Sequence, residues 1–182
     1  MTSHTVLDSL VGPLTLVADG DALTGLYQAG QRHRPAASTF GARDDDVLPG
    51  VREQLHAYFA GELEDFGVPL ATRGTPFQAA VWAALRAVPY GTTCTYGELA
   101  AAVGRPTAVR AVGAANGRNP VCIVVPCHRV VGADGTLTGY AGGTDRKSLL
   151  LEHERRSGRP LEWTTRRCWP PSAPALSLRS PP

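Results

Sequence analysis

The spacing of apolar residues changes at Thr75, and this change constrains the fold of the 182-residue chain more than any other feature. Before it, short β-branched or apolar runs are broken by turn residues. After it, apolar residues recur at helical spacing. Thr5 to Leu10, Leu14 to Ala18 and Ala22 to Tyr27, separated by Gly12-Pro13 and Asp19-Gly20-Asp21, predict an antiparallel meander. Residues 29–46 have no periodicity and are expected to form a long loop or mobile segment. Val51, Leu55, Tyr58 and Phe59 then share a helical face that Gly61 stops, and Phe66 to Ala71 reads as one more strand. The expected fold class is α+β.

The second half begins with a start signal. Thr75-Pro76-Phe77-Gln78 offers a hydroxyl cap, a proline at the first helical position and a Gln three residues after the cap. Thr95 and Glu98 repeat the capping box for a second helix that ends at Gly104, and a third is expected from Ala108 to about Asn116. Two short helices joined by a brief Gly-containing turn form a helix-turn-helix layout. The later of the two is built almost entirely of Ala, Val and Gly, with Arg110 in its first turn. It cannot display the polar side chains that read base edges. Two readings stay open: tight packing in the core, or close sequence-independent approach to a DNA groove with Arg110 projecting into the base stack.

Charge follows the same division. Residues 1–74 carry five Arg against ten acids, net −5; residues 75–156 are net +4 and residues 157–182 net +3. The overall +2 thus hides an acidic module beside one able to attract a polyanion. No apolar run approaches the roughly 18 residues of a membrane span, and the amino terminus lacks the pattern of a secretory signal, so a cytoplasmic protein without membrane contact is expected. None of the four cysteines precedes Cys94, which favours free thiols over a disulfide framework.

Chemistry concentrates after Asn119-Pro120. The apolar run Val121 to Val125 reads as a buried strand that stops at Pro126, and Cys127-His128-Arg129 follows at once. A thiol needs a nearby base or positive charge to become a nucleophile, and His128 and Arg129 are candidates for both. Neighbours on a strand point to opposite faces, so Cys127 and His128 meet only if the backbone turns there. A buried structural Cys127 and a cysteine hydrolase are competing readings. The Cys122, Cys127 and His128 spacing is not that of a zinc site.

Pro126-Cys127-His128-Arg129-Val130, with the preceding apolar run and Asn119-Pro120, closely resembles the active-site signature of the O6-alkylguanine-DNA alkyltransferases, or methylated-DNA-protein-cysteine methyltransferases. The resemblance extends through Pro89-Tyr90-Gly91, Thr95 to Ala100, Arg110 to Gly113, Gly139 to Gly143 and Lys147 to Glu154, covering roughly residues 4–156. It implies an amino-terminal ribonuclease-H-like sheet domain (1–74), a helical carboxy-terminal domain with a winged helix-turn-helix (75–158) and a Pro/Arg-rich tail (159–182) expected to be disordered. The implied function is direct, stoichiometric, irreversible alkyl transfer from O6-alkylguanine in DNA, with O4-alkylthymine a further substrate left open. The alternative is a non-catalytic lesion binder of the same fold. In this resemblance Cys127 is the acceptor, His128 deprotonates it through water, Glu154 orients His128, and Asn119 braces the turn. Arg110 fills the gap left by the flipped nucleotide, and Tyr96 acts on its phosphate and the leaving base. Val130, Tyr140 and Ala141 line the base pocket. The implied partner is double-stranded DNA, bound by a monomer with cooperativity on DNA left open. No cofactor or metal is implied.

Overall fold

The computed structural model describes residues 1–157, so the tail expected over 159–182 lies outside the described residues. The first half is built on a four-stranded sheet. Strands β1 (Thr2–Leu7), β2 (Leu14–Asp19) and β3 (Ala22–Gln28) pair antiparallel, as the turn residues predict, although β1 starts and stops three residues earlier than the pattern suggested. The segment expected to be a loop adds β4 (Ala42–Arg43), parallel to β1, giving the order β3-β2-β1-β4. This segment also covers a sheet face: Phe40 stacks on Tyr27 with ring centroids 5.5 Å apart, and both are buried beside Val17. Apolar burial and a strand pairing therefore give form to a stretch that has no local periodicity. Phe66 to Ala71 does not form the expected strand. It contributes one isolated bridge, Leu70 to Leu23 at the β3 edge.

Helix α1 (Pro49–Ala60) buries Val51, Leu55 and Tyr58 and ends at Gly61, whose left-handed backbone caps the last carbonyls. Helix α2 (Pro76–Arg86) and helix α3 (Tyr96–Ala102) both start with complete capping boxes, Thr75 with Gln78 and Thr95 with Glu98. Helix α4 (Val109–Gly117) follows α3 after a short turn, completing the helix-turn-helix. The Trp82 indole of α2 donates to the Ala115 carbonyl of α4 at 3.0 Å, which fixes the end of α4 against the core. Strands β5 (Cys94–Thr95) and β6 (Val130–Val131) pair in parallel, and helix α5 (Thr144–Ser157) closes the described chain.

The largest correction concerns the run before Pro126. Val121 to Val125 is not a strand but a set of tight turns in which Val124 N donates to Cys122 O at 2.8 Å and Val125 N to Val121 O at 3.0 Å. Ile123 sits at φ 71°, a left-handed backbone that costs a β-branched residue about 1–3 kcal/mol. Two contacts hold the coil in place. Asn119 Nδ2 donates to Val125 O at 2.8 Å while Asn119 Oδ1 accepts from Val121 N at 3.1 Å. The edge of β3 reaches across as well, with Leu26 N donating to Pro120 O at 2.8 Å and Leu26 O accepting from Cys122 N at 3.2 Å. One apolar cluster runs through both halves, from Leu14, Leu26 and Leu55 to Val121, Val130 and Leu150.

Candidate active site

Cys127 opens a single 3-10 turn, Cys127–Arg129, directly after Pro126, and its N–H donates to Val125 O at 2.8 Å. Three residues complete one turn of such a helix. Cys127, His128 and Arg129 therefore point in three directions, and all three are buried. The turn expected from the proline is present, but it is supported by hydrogen bonds from the preceding coil rather than by a strand end.

His128 Nε2 lies 2.8 Å from Glu154 Oε1. An ionised carboxylate only accepts hydrogen bonds, so this contact places the ring proton on Nε2 and leaves a lone pair on Nδ1. Nδ1 is buried with no hydrogen-bond partner among the described residues. Glu154 itself is saturated. Besides His128 it accepts from Tyr58 Oη at 2.8 Å, from Gly91 N at 3.1 Å and from Arg129, whose Nε and Nη2 each reach it at 3.0 Å. Burial alone would raise the Glu154 carboxyl, but its hydrogen bonds from His128 and Arg129, and the charges those partners carry when protonated, hold it well below the usual carboxylate range. Burial pulls His128 below its ordinary value, and Glu154 opposes that shift only in part, so the ring is neutral at pH 7.

Burial pushes the Cys127 thiol up to about 11, against the opposing pull of Asn119, of the Cys127 and His128 N–H groups and of the Lys147 charge. Lys147, Leu150 and Glu154 form the buried stripe of α5 at spacings of three and four, so one helix face carries a cation and an anion into the core. The Lys147 ammonium donates to Thr138 O at 2.6 Å and to Val130 O, and burial lowers it to about 8. The Cys127 thiol thus lies buried, under the pull of the Lys147 charge, with a neutral imidazole on the next residue.

Family models for the "6-O-methylguanine DNA methyltransferase, ribonuclease-like domain" and its "DNA binding domain" match residues 3–72 and 76–156. The chain belongs to this family. It is 52% identical over 155 residues to the methylated-DNA–protein-cysteine methyltransferase of Mycobacterium tuberculosis, covering 85% of this chain and 93% of that one. The corresponding protein of Methanosarcina acetivorans is 46% identical over 152 residues, covering 83% and 97%. A crystal structure of Mycobacterium tuberculosis OGT in complex with DNA superposes with a TM-score of 0.81 at 50% identity, covering 85% of this chain and 94% of that one.

Of the residues singled out in the sequence, the fold gathers Cys127, His128, Glu154, Asn119, Val130 and Tyr140 in one buried region. Tyr96 is half-buried at its edge. Its hydroxyl donates to Thr138 O at 3.1 Å, and its ring lies over Gly139, whose φ of 70° and lack of a Cβ leave room for it. Ala141 is half-buried, and its carbonyl accepts from Arg32 N at 2.9 Å. Arg110 stands apart on the outer face of α4, where Val109, Ala111 and Ala114 are also exposed; only Val112, Ala115 and Asn116 of that helix face inward. The small residues therefore line a surface as well as a packing seam.

Sequence reasoning missed four contributors. Tyr58 looked like an ordinary apolar helix position, although a buried Tyr hydroxyl needs a partner and so carries a signal. Arg129 was weighed as an activator of Cys127, but it is committed to Glu154 and to the Val88 carbonyl at 2.6 Å. Asn116, hidden among small residues, donates to Cys127 O at 3.3 Å. Lys147 was noted only within a motif.

Proposed function

We propose that Cys127 accepts the alkyl group from O6-alkylguanine in double-stranded DNA in a single irreversible step. Direct alkyl-transfer repair is the work of this family, and what supports the residue-level reading is the neutral His128 ring, held through Nε2 by Glu154 with its Nδ1 lone pair unengaged among the described residues, on the residue next to Cys127. Through a water molecule Nδ1 takes the thiol proton, and Glu154 stabilises the imidazolium that forms. The thiolate sulfur bonds to the alkyl carbon as the carbon–O6 bond breaks. The proton returns to the leaving guanine, so a thiol and an alkylguanine become a thioether and guanine. Tyr96 stands near that leaving group as a proton source.

The division of labour follows residues 1–74 and 75–158, with the second part meeting DNA through α4. The target oxygen is inside the duplex, so the nucleotide must be rotated out, and Arg110, exposed in the first turn of α4, fills the gap. The exposed small residues of α4 suit a groove approached closely at any sequence. Nothing in the transfer step requires a second copy, and the protein is expected to act as a monomer. Among the described residues no helix is long and apolar enough to cross a membrane. The non-catalytic lesion-binding reading is not favoured, because the acceptor thiol, the imidazole and the carboxylate are all in place.

Intact mass after incubation with an O6-methylguanine duplex tests the reading. The expected result is addition of a single methyl group, lost in Cys127→Ser. Tight binding with unchanged mass would sink it.

A further inference from the structure

A hydrogen bond from the first half of the chain reaches the carboxylate that holds His128. Tyr58, near the end of α1, is wholly buried, and its hydroxyl donates to Glu154 Oε1 at 2.8 Å. Other rings fix it in place. Phe59 and Tyr90 meet it edge-on with centroids 5.2 and 6.0 Å away, Phe66 lies at 5.4 Å and the His153 ring of α5 at 5.3 Å. His153 Nε2 also lies 2.8 Å from the Tyr58 carbonyl. A phenylalanine would make the same ring contacts, so the hydroxyl adds only its bond to Glu154. Burial, reinforced by the Glu154 charge, raises that hydroxyl well above its usual value, and it stays a donor.

The phenol and the imidazole share one acceptor atom. Glu154 Oε1 faces Tyr58 Oη and His128 Nε2 at 2.8 Å each, and Arg129 Nη2 and Nε at 3.0 and 3.2 Å. A single carboxylate oxygen has two lone pairs, so these donors compete. The competition falls on the atom that would stabilise a charged ring. An imidazole facing an undivided carboxylate keeps a proton on Nδ1 and has no lone pair for a thiol, whereas one whose partner is shared takes the proton only briefly. The other titratable groups around the pair are Arg129 and Cys127 on the acceptor turn, Lys147 on α5 and Tyr90 after α2. Arg129 and Lys147 also oppose a charged ring. Lys147 at about 8, Cys127 at about 11 and Tyr90, raised by burial, all titrate on the alkaline side.

We propose that Tyr58 is a positioning residue for the transfer reaction: by occupying part of Glu154 Oε1, its hydroxyl keeps the His128 ring uncharged and Nδ1 open to the Cys127 proton. This rests on the alkyl-transfer reading above. The bond changes are the same: the sulfur–carbon bond forms, the carbon–O6 bond breaks, and the thiol proton passes through His128 to guanine. Tyr58 keeps its own proton throughout.

The test is the rate of methyl mass gain from an O6-methylguanine duplex, measured on full-length wild type and Tyr58→Phe. The range runs from pH 8.5 down to the lowest pH at which both keep their native far-ultraviolet dichroism. Without the hydroxyl the imidazolium has more of Oε1, and the acid limb is expected to move up by about one pH unit. The variant-to-wild-type rate ratio then falls toward acid by more than about twofold and up to about tenfold. His153 and the DNA contacts are common to both proteins and cancel in the ratio. A purely structural hydroxyl would lower the rate by one factor at every pH. A ratio constant within about twofold, or one that rises toward acid, overturns the inference. If Tyr58→Phe does not fold, 3-fluorotyrosine at position 58 replaces it. That phenol is the stronger donor, so the limb is expected to move toward acid, and an unmoved limb overturns the inference equally. No mass gain in the wild type would overturn the alkyl-transfer reading instead.

Discussion

The core of this protein holds two buried polar regions side by side, and they are built on opposite rules. Around Glu154 every acceptor site is engaged: an imidazole, a phenol, a guanidinium and a backbone N–H converge on one carboxylate. Around Gln28 and Tyr140 pairing is sparse: among the described residues the amide and the phenol have little beyond each other. The first arrangement holds a geometry that must not change, the orientation of His128. The second leaves much of the hydrogen-bonding capacity of a buried amide unused. Saturated and sparse hydrogen bonding thus mark two kinds of buried polar region in one core.

The contrast is broken most severely at Glu154. Glu154→Leu removes the carboxylate that pairs with Arg129 and leaves a buried guanidinium without it, with an expected loss of about 3–5 kcal/mol in the unfolding free energy from urea titration. A loss below about 1 kcal/mol would show that Arg129 finds another outlet.

Acid should act on the same network. Because the folded His128 value lies below the unfolded one, the unfolded chain binds the extra proton first, and stability falls as pH drops through 6.5. Glu154 continues the decline below its ordinary 4.5, since its folded value is also depressed. Unfolding free energies from urea titration at pH 8, 6, 5 and 4 should therefore fall steadily, by up to about 1.4 kcal/mol per pH unit for each proton taken up. A flat profile between pH 6.5 and 5 would contradict a neutral buried His128.

At the other region the effect is small. Gln28→Leu replaces a sparsely hydrogen-bonded buried amide with an apolar side chain of similar size and is expected to change stability by no more than about 1 kcal/mol, read from the same titration. A loss above about 2 kcal/mol would mean that the amide has further partners in the free protein and would erase the contrast.

The sequence was legible where structure is decided locally. Both capping boxes, the helix stop at Gly61 and the helix-turn-helix follow from residues within four positions of each other. The Val121–Val125 run misled because its β-branched composition says only that it is buried. Its shape is set by Asn119 and by Leu26, nearly one hundred residues earlier in the chain. Phe66–Ala71 failed as a strand for the same reason, a missing partner along most of its length. At the site, Cys127, His128 and Glu154 came from a motif, while Tyr58 and Gln28 are visible only once the two halves are packed together, since each acts on residues about one hundred positions away.

The burial of Cys127 has one more consequence. A thiol raised to about 11 is ionised in roughly one molecule in ten thousand at neutral pH. Oxidants and stray electrophiles attack thiolates, so they meet almost none; under the proposed reaction the thiolate forms only when His128 takes the proton with the substrate in place. A protein that can react only once gains shelf life from this: it stays unspent until its own substrate arrives.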